Sequence, residues 1–591
     1  MPIMLKEALA RLTVPQLKEL LDHVPDAKAA TRKDDLVERI ASALLGPELM
    51  AAWLGLDEVQ RAAVAEAAHD PLGEYSAQRF QAKYQKQPVF QVAKARSHGY
   101  SSGKKSALCL FIHSAGSAEG YCVPADLGQR LREFVPPPAP LQLASFETLP
   151  VQDGWVERLT EREALQEVGI MLRTIEQARI QVSEKTAQPG AAALRVLSEK
   201  LVGGDFYPVA EKRDPWDQEI GPIKAFAWPM LLQAGGLVAR TGSRLALGPA
   251  GVKALGAPAQ EVLRGLWRKW VKSTLLDEFS RMDEIKGQNS KGRVMGAVAP
   301  RRAVVEEALR ECPVGRWVTL DDFSRFMQAS DLGFVVAHDP WQLYLCERRY
   351  GSLGYDGSHG WNILQERYIL VLLFEYAATL GMVDLCYQDP KDCRNDFRGM
   401  WGADELGFLS RYDGLVGLRL SALGAYVLGM TTAYAPVVRP SDVALSVLPS
   451  LQVSVLRGSL STEEGLLLNQ WAEPVQPGSW RLDRQKALLA LETGHGIAEL
   501  RRFLESHDDV PLPEPVESFL LQCEHDGRAL KLGASAVLIE CRDPQTAERV
   551  ASHPETRALC LRAGPSTLVV RTDQLDKFHQ RVRLLGLGMR P

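Results

Sequence analysis

One short segment, Pro136-Pro137-Pro138-Ala139-Pro140, does more than any other to limit what this chain can fold into. Such a run is stiff, cannot continue a helix and cannot donate to a strand ladder, so it parts one folded region from the next. A second proline-bounded stretch at residues 436–440 does the same further on. At roughly 150 residues per domain, a chain of 591 residues reads as a multidomain protein. Its 46% hydrophobic and 24% charged content excludes a disordered chain, a collagen-like fibre and a coiled-coil rod. The longest apolar run, residues 368–374, falls far short of the ~20 residues that span a bilayer, and the N-terminal MPIMLKEALARL lacks a signal-peptide core. The expectation is a cytoplasmic protein without a membrane partner. Nine cysteines, never spaced C-x-x-C, fit reduced thiols and argue against a disulfide framework or a zinc ribbon.

Residues 1–45 read as a small helical module. Thr13-Val14-Pro15-Gln16 has the form of a capping box with proline in the first turn, and Leu17, Leu20 and Leu21 make the apolar stripe behind it. Leu36, Val37, Ile40 and Leu44 mark a second helix, with Thr31 as its expected cap and Arg32 and Lys33 at its entrance. The pairing of LTVPQLKELL with TRKDDLVERI resembles the helix-extended-helix motif of SAP and Rho-N-terminal modules, which implies nucleic-acid binding. The glycine usual before the second helix in that family is absent here, replaced by Ala29-Ala30.

Residues 46–135 add two helices, over 48–54 and 57–68, and then the clearest charge asymmetry in the chain. No Asp or Glu lies between Glu74 and Glu119, whereas Arg79, Lys83, Lys86, Lys94, Arg96, Lys104 and Lys105 do, with aromatic residues interleaved. This stretch reads either as a wing that tracks phosphates or as a solvated loop whose aromatics belong to a core. A second basic course carries Lys286, Lys291, Arg293, Arg301 and Arg302 around Gly287-Gln288-Asn289-Ser290, and reads as a flexible binding loop or a solvated linker.

Two stretches repeat one plan. An apolar helix ends at Gly235-Gly236 and meets a hairpin over 238–247 and a helix from Pro249; another ends at Gly381 and meets strands near Leu385 and 415–420 and a helix at 423–428. That is the order of a winged-helix domain, so two winged-helix-like domains are expected, at 141–260 and 261–435. Residues 441–591 alternate strands and helices with short connections, which marks an α+β or α/β module. The fold class that follows is α+β, multidomain and mostly helical, with winged-helix-like modules and a C-terminal α/β module.

The C-terminal region also carries a resemblance. Leu448-Pro449-Ser450-Leu451-Gln452-Val453-Ser454-Val455, then Trp471-Ala472-Glu473-Pro474, Ser479-Trp480-Arg481-Leu482-Asp483, Gly494-His495-Gly496-Ile497-Ala498-Glu499-Leu500 and Pro511-Leu512-Pro513-Glu514-Pro515-Val516 together resemble the bacterial helicase-associated domain. That domain is similar to the N-terminal, damage-recognition part of XPB-type helicases. The resemblance spans residues 445–590 and implies a DNA-associated role beside a helicase motor; no catalytic residues come with it.

Enzymatic chemistry leaves few traces. Gly99-Tyr100-Ser101-Ser102-Gly103-Lys104-Lys105-Ser106 lacks the spacing of a phosphate-cradling loop, and Lys105 stands where a hydroxyl would hold magnesium. Asp277, Asp283, Glu284 and Lys286 have the residue types of a metal-dependent nuclease, and also those of an exposed helix face. Cys386, Cys393 and His359 lack zinc-site spacing. The expectation is therefore a non-enzymatic DNA-binding adaptor with no cofactor and no metal, partnered by a helicase or nuclease, binding through Arg32, Lys33 and the two basic courses. A protein-interaction scaffold and a divergent nuclease are the alternatives.

Overall fold

The computed structural model describes residues 3–25, 29–92, 103–114, 120–150, 152–207, 218–290, 294–355, 360–436, 443–508, 510–531 and 533–590. Its fold is mixed α+β, with helices outweighing small antiparallel sheets. The chain divides into two compact units, Met1–Pro440 with Leu460–Leu466, and Ser441–Ser459 with Leu467–Pro591.

In the first unit, helices Leu5–Ala10, Val14–Leu21 and Lys33–Leu45 open the chain. The Thr13 main-chain N–H donates to Gln16 Oε1 at 2.9 Å, and Leu17, Leu20 and Leu21 are buried, as the capping box and stripe require. The third helix begins one residue later than expected: extended Arg32, not Thr31, occupies the cap position. Asp57 caps Glu58–His69 by accepting from the Gln60 N–H at 2.8 Å. With helices Leu49–Leu54, Ala77–Tyr84 and Ala125–Arg132 and a three-stranded sheet, these elements share one hydrophobic core running from Leu5 to Val135. The modules expected at 1–45 and 46–135 are thus one body.

A second core runs from Ala164 to Leu428. It draws on both segments expected as separate winged-helix-like domains, 141–260 and 261–435. The strand Val156–Arg158 is the edge of a four-stranded antiparallel sheet whose other members are Val383–Tyr387, Leu415–Leu420 and Trp317–Thr319. The reason lies in the helical segment Trp361–Glu366, Arg367–Val371 and Leu372–Ala377, whose first and last parts are π-helical turns. It is apolar on nearly all sides and has to be surrounded, which a single small domain cannot do.

The repeated local plan is present. Helix Lys224–Ala234 and the helix ending near Leu380 stop the same way: Gly236 (φ 65°) and Gly381 (φ 71°) take the left-handed conformation. The Leu237 and Met382 N–H groups reach back to Leu232 O at 3.0 Å and Ala377 O at 2.9 Å, closing each helix as a Schellman turn. Hairpin Val238–Thr241/Arg244–Leu247 and helix Pro249–Leu255 follow the first stop; Val383–Tyr387/Leu415–Leu420 and helix Ala422–Val427 follow the second.

The second unit contains an antiparallel sheet in the order Ala444–Val447, Gln452–Arg457, Ser479–Leu482, Ala472–Gln476, with helices Arg484–Glu492, Ile497–His507 and Glu514–Asp526. A second antiparallel sheet, Ala536–Glu540, Thr567–Arg571, Cys560–Arg562, carries helices Pro544–Ser552 and Leu575–Leu584 on one face over its own core. Every described ladder here is antiparallel, so the region is α+β, which corrects the α/β expectation. The alternation of elements was legible; pairing direction was not, because a short strand reads alike in either direction.

Candidate nucleic-acid interface

Among the described residues, the cations expected to meet phosphate fall into four groups in space. Arg32, Lys33 and Lys86 are exposed on the N-terminal module. Lys104 and Lys105 form a short strand paired with Gln91–Val92 and lying against helix Val14–Leu21. Lys104 Nζ meets Asp22 Oδ2 at 2.9 Å with 46% and 63% of the two side chains exposed, and this hydrogen bond holds the Asp22 carboxyl below its usual range. Half-buried Lys105 is fixed through its main chain, donating to Glu19 Oε2 at 3.2 Å and facing His23 Nε2 through its carbonyl at 2.9 Å.

A second group spends its charge inside the unit. Lys83 Nζ lies 2.6 Å from Glu66 Oε1, which also accepts from Tyr84 OH at 2.8 Å. Arg79 bridges Asp70 at 3.4 Å and Asp331 at 3.1 Å, on a helix that packs against Leu320–Ala329. The acid-free stretch of sequence is therefore not acid-free in space: Asp22, Glu66, Asp70 and Asp331 come to it from other elements.

Arg301 and Arg302 require a correction. They lie on helix Val298–Arg310, not in a loop, and are almost fully buried. Arg301 holds Asp277 with two bonds of 2.8 Å, and Arg302 Nε meets Glu278 Oε1 at 2.5 Å. Arg302 also donates to the carbonyls of Trp270, Ser273 and Leu276, while Trp270 Nε1 and Tyr368 OH donate to Glu278 at 3.0 Å each. Burial works against the Arg302 charge, but Glu278 outweighs it and keeps the guanidinium above its ordinary pKa. Both guanidinium groups are buried and paired with carboxylates, so neither arginine reaches a phosphate. For Arg302 each guanidinium nitrogen has a partner, which is what makes a buried charge tolerable.

Lys94, Arg96, Lys291 and Arg293 lie outside the described residues, as do residues 99–102 of the glycine-lysine stretch and His359.

Lys286 forms the fourth group. It is exposed on the strand Ile285–Lys286, which pairs antiparallel with Tyr344–Leu345, so that Lys286 faces Tyr344 and Ile285 faces Leu345. Opposite partners in an antiparallel ladder point to one side. Ile285 and Leu345 fill the core; Lys286 and half-buried Tyr344 line an open cleft of about 560 Å³. Asn289 and Ser290 stand on its rim, on a turn closed by the Ser290 N–H donating to Gly287 O at 3.0 Å. Gly287 (φ 89°) is obligatory there, since a Cβ would sit 2.0 Å from Gln342 O.

The acids at this cleft are held by partners of their own. Asp283 pairs with buried Arg411. Glu284 accepts from Gln218 Nε2 at 2.9 Å and lies 3.6 Å from Cys346 Sγ. Burial first, then the Glu284 charge, pushes the Cys346 thiol up to about 11, so it stays protonated at neutral pH and donates a hydrogen bond to the carboxylate. Asp277, Asp283 and Glu284, the acids weighed for nuclease chemistry, thus engage three different partners. Among the described residues no group of three His, Cys, Asp or Glu side chains is arranged to hold a metal ion, and no helix is long and apolar enough to cross a membrane.

Sequence reading passed over Tyr344. Its signal is the short alternation Leu343-Tyr344-Leu345 with the aromatic out of phase with two buried leucines. Comparison with family models and with curated proteins returns no match to this chain.

Proposed function

We propose that this protein is a non-catalytic DNA-binding adaptor whose N-terminal module grips the phosphate backbone. The observation that carries the reading is the set Arg32, Lys33, Lys86, Lys104 and Lys105, kept at or near the surface of one module with a core of its own. The Lys104–Asp22 pair belongs to this surface, and an exposed pair exchanges its partner for phosphate at little cost. Contacts of this kind read charge and not base sequence. The helix, glycine stop and hairpin at 224–255 and 369–427 support winged-helix-like elements in the central region, and the resemblance of residues 445–590 to the helicase-associated domain supports docking to a helicase or nuclease.

The test is fluorescence anisotropy of a labelled duplex over ~50–200 mM salt. Five contacts give a slope of log affinity against log salt of about −4.5. Replacing the five cations with alanine should flatten it; an unchanged slope removes this surface from the interface.

One observation favours a second reading, a protein-interaction scaffold. In the last sheet, Leu538, Val569 and Leu561 are cross-strand neighbours on the face opposite the two helices, and Leu538 and Leu561 are 66% and 74% exposed. An uncovered apolar row is what a protein contact uses. Absence of binding to any DNA or RNA at low salt would favour the scaffold over the adaptor.

A further inference from the structure

The geometry points to the cleft between Lys286 and Tyr344 as a binding site for one unpaired nucleotide of a nucleic-acid strand, and we propose it as such. The inference rests on the DNA-binding reading above and adds a ligand class that the N-terminal surface does not specify.

Three features of the cleft fit a nucleotide. Its volume of about 560 Å³ lies within the ~300–1,000 Å³ range of sites that enclose small organic ligands. The facing pair places an aromatic ring and an ammonium on one wall, side by side across the ladder. Base stacking on an aromatic ring with a cation nearby for the phosphate is the general mode of single-strand binding. The rim then supplies neutral polar groups: Asn289 carries both a carbonyl and an amide, Ser290 a hydroxyl, suited to base edges or sugar.

Electrostatics agree with an anionic ligand. The Asp283 carboxylate is neutralised by Arg411, and Glu284 is drawn to Gln218 and Cys346, so the carboxylates nearest the cleft are already engaged. Among the described residues Lys286 Nζ bonds the Asp283 carbonyl, and an ammonium with three donors keeps others for phosphate. Arg348, in the turn that follows the Tyr344–Leu345 strand, adds an exposed cation. Gly287 holds the ribbon edge close against Gln342, which fixes the wall. A duplex base is stacked on both sides and cannot enter such a recess, so the cleft selects single strands, loops or frayed ends.

The experiment uses the full-length protein with a fluorescein-labelled oligothymidylate and a blunt duplex as separate probes, and with a 5-bromouracil oligonucleotide for photocrosslinking. The expected result is a crosslink on the peptide carrying Tyr344. Tyr344→Ala should weaken oligothymidylate binding by about tenfold or more, leaving duplex affinity unchanged. Tyr344→Phe should retain single-strand binding because it keeps the ring, and it guards against loss of fold. Lys286→Gln should weaken single-strand binding and lower its salt dependence. The proposal is overturned if crosslinks map elsewhere, or if Tyr344→Ala binds the single strand as wild type does. Duplex binding with a normal salt slope alongside either result would sink the cleft alone; no binding of any probe at low salt would sink the DNA-binding reading and the cleft with it.

Discussion

Arg302 and Glu278 meet at 2.5 Å with neither side chain exposed to solvent, and Tyr368 and Trp270 complete the shell around the carboxylate. Arg302→Ala would leave Glu278 buried without its cation, at a cost of about 3–5 kcal/mol. Chemical denaturation measures it. The double variant Arg302→Met with Glu278→Met should lose less than the two single changes summed; additive losses would show that the two residues do not act as a pair.

Asp22 restrains Lys104 at the surface without supporting the fold. Asp22→Asn should leave the melting temperature where it is and strengthen duplex binding, because the ammonium is released to phosphate. Weaker binding, measured by anisotropy at low salt, would argue that Lys104 faces away from the nucleic acid.

His113 makes the N-terminal module acid-sensitive. The ring is buried, its Nε2 lies 3.0 Å from Leu110 O, and burial pushes its pKa down from 6.5 to about 4. The unfolded chain therefore takes up a proton first as pH falls. Stability from this group is complete above about pH 6.5 and is lost progressively down to about pH 4. Across that window the loss is roughly 3 kcal/mol. Denaturation midpoints at pH 7 and pH 4.5 should differ more for wild type than for His113→Gln; equal differences would place the acid sensitivity elsewhere.

Gly287→Ala would force a Cβ to within 2.0 Å of Gln342 O at a backbone angle that alanine rarely takes. The expected cost is about 1–3 kcal/mol, with loss of the cleft wall. A melting temperature equal to wild type would mean that the ribbon is free to shift.

The local signals and the long-range ones differ in how far sequence carried them. Thr13 with Gln16, and Gly236 and Gly381, did what their chemistry predicts, because capping and left-handed turns depend on residues a few positions apart. The helix expected over 57–68 is present as Glu58–His69, and the hairpin expected over 238–247 as Val238–Thr241 with Arg244–Leu247. The strand Val156–Arg158 was not foreseen, since its partner Val383–Tyr387 lies more than two hundred residues away. The candidate site divides along the same line. Arg32, Lys33 and Lys86 are exposed, whereas Arg301 and Arg302, which looked identical to surface cations in sequence, are buried against their carboxylates.

The chain's composition and residue order alone determined that it is an α+β protein, where many of its helices start and stop, and how its cations are spaced along the backbone. Tertiary structure alone decided which of those cations remain available, because Asp22, Glu66, Asp70, Asp277, Glu278 and Asp331 reach them from other elements. Charge is a property of each residue, but electrostatic potential depends on distance, and distance between residues far apart in sequence is set only by the fold.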